Sequence, residues 1–284
     1  MIENSPSITA QRAAMHRAAH QILDEPRVFD DPLAVRIVGA ESSAALQAAP
    51  QQSAAAQGSE LLRAFIAARS RYAEDTLGEA IRGGLSQYVI LGAGLDTFAY
   101  RGTCTQTRLH VFEVDHPDTQ SWKRARLKEA GISIPDSLTF VPVDFEKQSM
   151  TDGMRQMNFD HGEPAFFSWL GVTPYLTKEA VDSTLEFIAT LKTGSGVVFD
   201  YVISPSLLNI EQRSEFDDLS KRLAKAGEPW RTFFDPSTLA AELKAFGFGE
   251  AIDMGPDEIN ARYFAGRTDT LSVRGFGHIM KAIV

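Results

Sequence analysis

The chain has 284 residues, of which 44% are hydrophobic and 23% charged, ordinary fractions for a globular protein with a sizeable core. Lys and Arg number 28 against 37 Asp and Glu, a formal net charge of −9. No Lys/Arg run supplies the basic patch of a nucleic-acid binder. One cysteine, Cys104, excludes an internal disulfide and a Cys-rich metal site. No stretch approaches the roughly 18 apolar residues of a membrane helix. Residues 1–6 lack the basic start and apolar run of a signal peptide. The expectation is a cytoplasmic protein that binds neither nucleic acid nor membrane.

In chain order, residues 1–85 read as helical. Residues 9–23 carry helix-tolerated Ala, Arg, Gln and His. Asp30-Asp31-Pro32 reads as a helix start. Residues 44–58 lack apolar periodicity and are expected to be a mobile surface segment. Over 59–81, Leu62, Phe65, Ile66, Arg69 and Ala73 recur at steps of three and four, and Gly83-Gly84 ends the helix. Tyr88-Val89-Ile90-Leu91 then enters the tight turn Gly92-Ala93-Gly94. Further strands are expected at 109–115, 138–144 (with a Pro that suits an edge), 165–170, 196–202, 250–254 and 277–284. Helices are expected at 119–130, 178–191 and 235–246. Strands alternating with helices indicate a doubly wound, mostly parallel seven-stranded α/β sheet with an N-terminal helical cap. The divisions are a cap at 1–85, a core at 86–202, an irregular, charged, lid-like insertion at 203–234 and the rest of the sheet at 235–284.

The chemistry centres on Gly92-Ala93-Gly94-Leu95-Asp96-Thr97. A strand, a glycine turn and a helix N-terminus make a nucleotide-type pocket. Glu113 and Asp115 lie about 20 residues on, where an acid binds ribose hydroxyls, and Asp115, at the mouth of the strand, is preferred. The nicotinamide pattern asks for a small third residue, where this chain has Thr97, and Asp96 would oppose a pyrophosphate. A phosphate-free cofactor suits the turn better. S-adenosylmethionine is one, and Asp96, Asp115 and Asp144 would tolerate its cationic groups while Arg69 met its carboxylate.

Ala68-Arg69-Ser70-Arg71-Tyr72, Leu91-Gly92-Ala93-Gly94-Leu95-Asp96-Thr97, Phe112-Glu113-Val114-Asp115-His116-Pro117, Val141-Pro142-Val143-Asp144-Phe145 and Gly171-Val172-Thr173-Pro174-Tyr175-Leu176-Thr177 follow one another in order. Together with Phe29-Asp30-Asp31-Pro32-Leu33-Ala34, they make the chain resemble the leucine carboxyl methyltransferase family, in particular its bacterial S-adenosylmethionine-dependent O-methyltransferases. The resemblance implies a class I methyltransferase-like Rossmann fold. It also implies that Arg69 holds the cofactor carboxylate and that Gly92 and Gly94 lie under the methionine part. Asp115 would take the ribose, with Asp144 and Phe145 on the adenine. One position departs: Leu170 stands where many relatives carry a Glu that contacts the cofactor's amino end.

The reaction expected is methyl transfer to an oxygen of a small-molecule acceptor, a carboxylate among the candidates. Alternatives are methylation of a protein C-terminal carboxylate, a catalytically silent cofactor-binding protein, and an NAD-dependent oxidoreductase, which Thr97 and Asp96 disfavour. No catalytic base stands out; His116, beside Asp115, is the nearest, though a structural role at the strand end suits it better. His16 and His20 share a metal-binding spacing without an acidic third ligand and read as surface or packing residues, so no metal is expected. Tyr175 and Tyr201, beyond the fourth and fifth strands, are candidate substrate-pocket residues. Trp169, Trp230, Phe233 and Phe234 could form an aromatic pocket or ordinary core. The oligomeric state is not legible in the sequence.

Overall fold

The computed structural model describes residues 8–49, 60–102, 108–144, 153–154, 158–225 and 227–284. The helices are α1 (Ile8–Leu23), α2 (Ala34–Ile37), α3 (Ala40–Ala48), α4 (Glu60–Arg82), α5 (Pro117–Glu129), α6 (Lys178–Ala189), α7 (Ile210–Lys225), α8 (Pro236–Phe246) and α9 (Pro256–Tyr263). The strands are β1 (Gln87–Leu91), β2 (His110–Asp115), β3 (Leu138–Pro142), β4 (Ala165–Trp169), β5 (Gly196–Val202), β6 (Glu250–Met254) and β7 (Gly277–Ile283).

They form one seven-stranded sheet in the order β3-β2-β1-β4-β5-β7-β6. β1 to β5 are mutually parallel, and β7 runs antiparallel to both β5 and β6. The central strands β1, β4 and β5 are buried along their whole length, as a sheet covered on both faces requires. Side chains alternate between faces. Val89, Leu91, Phe167, Trp169, Val197 and Phe199 pack on one face with Leu185, Ile188, Leu239 and Leu243 of α6 and α8. Tyr88, Ile90, Phe166 and Val198 pack on the other with Ala64, Ala67, Ala68, Tyr72 and Leu77 of α4. Pro142 ends β3 at the sheet's edge, where a missing N–H costs no ladder bond.

The ends of several helices follow from local chemistry. Asp235 caps α8 by accepting from the N–H groups of Ser237 and Thr238, and Gly247 closes it at φ +117°. After α4, Leu85 N–H donates to Ala80 and Gly84 N–H to Ile81, a Schellman closure with Gly84 at φ +98°.

Four expectations about the elements and their exposure need correction. Residues 44–48 belong to α3, a regular helix whose Leu46 is buried in a third cluster with Ala14, Ile37 and Leu127 while its neighbours stay at the surface as expected; residues 50–59 lie outside the described residues. Leu62 is 48% exposed, because the buried face of α4 turns on Arg63, Ile66, Arg69 and Ala73. Asp31 does not lead directly into a helix: its side chain accepts from Leu33 N–H and α2 begins at Ala34. The 203–234 segment is not irregular, since its middle is the 16-residue α7. Among the described residues, no helix is long and apolar enough to cross a membrane.

Glu113 is not a pocket residue. It is fully buried and paired with Lys123 Nζ at 2.8 Å, with Tyr100 Oη 3.1 Å away. Burial raises its pKa above the usual carboxylate range, against the opposing pull of Lys123. Removing one member of such a pair strands a buried charge, whereas replacing both is close to neutral. Lys123→Met is therefore expected to lose about 3–5 kcal/mol of unfolding free energy, and Lys123→Met with Glu113→Leu to recover most of it. Urea titration of the three proteins checks this, and equal losses in the single and double variants would refute it.

Candidate active site

The strand order reverses between β1 and β4, so the connections after them leave to opposite faces and open a crevice at the carboxyl ends. A cavity of about 270 Å³ lies there. Its floor is the Gly92–Leu95 turn, and its walls come from α1, α4, the ends of β2 and β4, and residues 227–231.

Gly92 and Gly94 take φ of +64° and +43°, values that favour glycine. A side chain at 92 would overlap Val172, and a Cβ at 94 would lie 3.0 Å from the Ala10 methyl. The turn is pinned by Gly92 N–H to the Val114 carbonyl at 2.8 Å. A short 3₁₀ turn, Phe98–Tyr100, follows, and Asp96 accepts from Phe98 N–H at 2.8 Å.

Asp115 stands at the open end of β2, half-buried. Gly94 N–H donates to its Oδ2 at 2.6 Å and His116 N–H to its Oδ1 at 2.7 Å. Burial nonetheless raises its pKa, with those two donors pulling the other way. His116 caps α5, its Nδ1 accepting from Asp118 N–H at 3.2 Å, and its Nε2 lies 3.7 Å from Asp144 Oδ2. That acceptor role and its place beside Asp144 make it a structural histidine. Asp115, His116 and Asp144 all line the cavity. Phe145 lies outside the described residues.

Arg69 reaches the cavity from α4 and is 9% exposed. Its Nη1 is paired with Asp200 Oδ2 at 2.7 Å. Asp200 Oδ1 accepts from Gly171 N–H at 2.6 Å, so one carboxylate ties the arginine to the turn after β4. Gly171, at φ +74°, leaves room for the guanidinium: a Cβ there would lie 2.7 Å from Arg69 Nη2. Arg69 Nε is buried without a hydrogen-bond partner among the described residues. Leu170 adds an apolar wall.

Tyr175 lines the cavity within a 3₁₀ turn, and burial raises its pKa, so it stays protonated. Tyr201 does not. It is 1% exposed, packs against Phe199 and Phe234, and donates to Asp253 Oδ1 at 2.6 Å. β5 turns alternate residues to opposite faces, and position 201 falls on the α8 side. Trp169 and Phe234 are core on the same face, and Trp230 and Phe233 pack with Phe216 and Phe276. His20 Nδ1 bonds Asp24 at 2.7 Å while Nε2 accepts from Val28 and Phe29 N–H groups, a packing role.

Several lining residues carry no sequence pattern. Thr9, Arg17, Glu228 and Arg231 come together only by folding. Glu228 accepts from both the N–H and the hydroxyl of Thr9, joining residues 227–231 to the start of α1 over the cavity. Asp200 did leave a sign: an acid inside the apolar run Val197-Val198-Phe199 and Tyr201-Val202 needs a buried partner.

The family described as leucine carboxyl methyltransferase matches residues 10–189, well over half of the chain. The chain belongs to the leucine carboxyl methyltransferase family. It is thus a methyltransferase, an enzyme. It is 32% identical over 303 residues to "Putative S-adenosyl-L-methionine-dependent methyltransferase YktD" of Bacillus subtilis (strain 168), covering 100% of this chain and 99% of that one. A protein of Mycolicibacterium smegmatis, named in the same terms, is 30% identical over 239 residues, covering 81% and 76%. Among solved structures, a putative methyltransferase from Thermobifida fusca YX superposes with a TM-score of 0.53 at 18% identity, covering 99% and 96%. A DUF574 family protein from Streptomyces avermitilis MA-4680 gives 0.57 at 15%, covering 95% and 96%. These two show the shared fold.

Tyr201→Phe tests the placement of that residue. It is expected to lower stability by about 1–2 kcal/mol through the unpaired Asp253 oxygen, and to leave S-adenosylhomocysteine affinity unchanged by calorimetry. A tenfold or greater loss of affinity would return Tyr201 to the site.

Proposed function

We propose that this methyltransferase transfers the methyl group of S-adenosyl-L-methionine to an oxygen of a small-molecule carboxylate. S-adenosyl-L-methionine is the methyl donor. The observation that carries the reading is Asp115, whose two oxygens are fixed by Gly94 and His116 at the strand-order reversal. Backbone donors orient a carboxylate so that its remaining lone pairs face the cavity, where ribose hydroxyls can donate to them.

The residues present fit such a cofactor. The donor set mixes acids (Asp96, Asp115, Asp144) with Arg69 and apolar Leu91, Leu95, Val143 and Leu170. That mixture suits a molecule with a cation, hydroxyls, a carboxylate and a flat base better than it suits a polyphosphate. In this reading Arg69 holds the carboxylate through the guanidinium edge not used by Asp200. Gly92 and Gly94 lie under the methionine part, Asp115 takes the ribose, and Asp144 takes the adenine edge. The adenine-face role that the resemblance gives to Phe145 stands on the sequence.

The cofactor supplies an already activated methyl group, so the protein contributes positioning and exclusion of water. In this reading Tyr175, which lines the cavity and stays protonated, donates to an acceptor oxygen. A carboxylate is ionised near neutrality and needs no general base, whereas a phenol with a pKa near 10 benefits from one. His116, the histidine among the described lining residues, is committed to its α5 cap.

Two measurements check this reading. Asp115→Ala is expected to weaken S-adenosylhomocysteine binding roughly 10–150-fold by calorimetry, the worth of charge-assisted hydrogen bonds; unchanged affinity refutes the ribose assignment. For the acceptor, kcat/KM read by S-adenosylhomocysteine release is expected to stay flat from about pH 6 to 9, above the usual carboxylate range. A tenfold rise per pH unit would point instead to a hydroxyl acceptor that must lose its proton.

A further inference from the structure

The segment Phe29-Asp30-Asp31-Pro32 belongs to no catalytic role described above, yet Asp31 is 1% exposed and its carboxylate meets three groups from three parts of the chain. Its Oδ2 lies 2.6 Å from Arg17 Nε on α1 and accepts from the Thr97 hydroxyl at 2.7 Å. Its Oδ1 accepts from its own segment, at Leu33 N–H. Arg17 spends its Nη2 on the carbonyl of Leu95. Leu95 and Thr97 are the residues that carry the chain out of the Gly92–Leu95 turn, and both are nearly fully buried. The same helix rests on the turn itself, where the Ala10 methyl closes the space above Gly94. Arg17 also lines the cavity.

We propose that Arg17 and Asp31 are positioning residues for cofactor binding, holding the exit of the glycine turn through the Leu95 carbonyl and the Thr97 hydroxyl. This rests on the reading of the cavity as the S-adenosylmethionine site. The physical reason is that positive-φ glycines leave a turn with many accessible conformations. The main-chain N–H of Gly94 must nevertheless stay on Asp115, because that bond aims the carboxylate. Two neighbouring points fixed from below, one at a carbonyl and one at a side chain, remove the freedom that Gly92 and Gly94 introduce. Burial would raise the pKa of Asp31, but Arg17, Arg101, Thr97 and Leu33 N–H outweigh it and hold the carboxyl below its usual value. The anchor is therefore charged at neutral pH. The Thr97 side chain, which breaks the dinucleotide pattern, thereby has a purpose of its own: it is the donor that a small residue at this position would lack.

The test uses the full chain with Thr97→Val, which keeps the volume and removes the donor, and Thr97→Ser, which restores it. The readouts are the S-adenosylhomocysteine dissociation constant by calorimetry, the urea midpoint, and KM and kcat. Thr97→Val is expected to weaken binding about tenfold and to raise KM for S-adenosylmethionine similarly, with kcat at saturation nearly unchanged, as for loss of a buried charge-assisted bond. Thr97→Ser is expected to return the dissociation constant to within about threefold of the wild type. Should Thr97→Val fail to fold, Arg17→Lys takes its place, since one ammonium cannot span both Asp31 and the Leu95 carbonyl. A lowered urea midpoint with an unchanged dissociation constant means a purely structural role and overturns the proposal, as does a loss that Thr97→Ser does not rescue. A wild-type protein that binds no S-adenosylhomocysteine overturns the underlying reading of the cavity instead.

Discussion

Close approach of two turns at the strand-order reversal is the constraint on which the rest of the site depends. The turn after β1 and the turn after β4 press together, with Val172 filling the space where a side chain at 92 would stand. Gly171 gives way in the same manner to the guanidinium of Arg69. Both glycines take positive φ, so each turn bends sharply away from its strand and leaves the carboxyl ends of β1 and β4 open between them. Parallel strands make this arrangement possible, since their carboxyl ends all lie at one edge of the sheet and the connections diverge only where the order reverses.

Around that opening, charge is handled in pairs. Arg69 with Asp200, Arg17 with Asp31 and Glu113 with Lys123 are each almost completely withdrawn from water. Taking a charge out of water costs several kcal/mol, so each member is tolerable only with its partner and further hydrogen bonds. Such pairs contribute little net stability compared with apolar replacements. They do specify geometry. Asp200 links α4 to the turn after β4, and Asp31 links α1 to the turn after β1. Each turn at the cavity is thus tied to one helix of the N-terminal portion by a buried carboxylate. α1 and α4 are thus part of the site's walls.

Much of this was legible along the chain because it follows from short-range rules. β5, β6 and α8 begin and end where the apolar run, the alternation and the Asp-Pro start with a trailing glycine place them. Gly92, Gly94 and Asp115 are likewise local signals, a tight turn and an acid at a strand end. Misreadings have physical causes. α3 is built of small, mostly exposed residues and is held by the single buried Leu46 against Ala14 and Ile37, so it carries weak periodicity of its own. α7 lies in a charged segment that reads as solvated loop, though Phe216 anchors it to Trp230, Phe233 and Phe276. Tyr201 lies at a strand's carboxyl end, which is where pocket residues gather, but the parity of the strand sends its ring into the core.

The sequence by itself determined the strands, the helices α5, α6 and α8 between them, the glycine turn and the family to which the chain belongs, because these depend on composition and spacing within a few tens of residues. Only the tertiary structure decided which charges meet. Arg69 and Asp200 are 131 positions apart, Thr97 and Asp31 66, and Thr9 and Glu228 219. No periodicity spans such separations. The choice of partner is made when the sheet brings α1, α4 and the segment after α7 to one edge, and a buried charge then pairs with the opposite charge and donors within its reach.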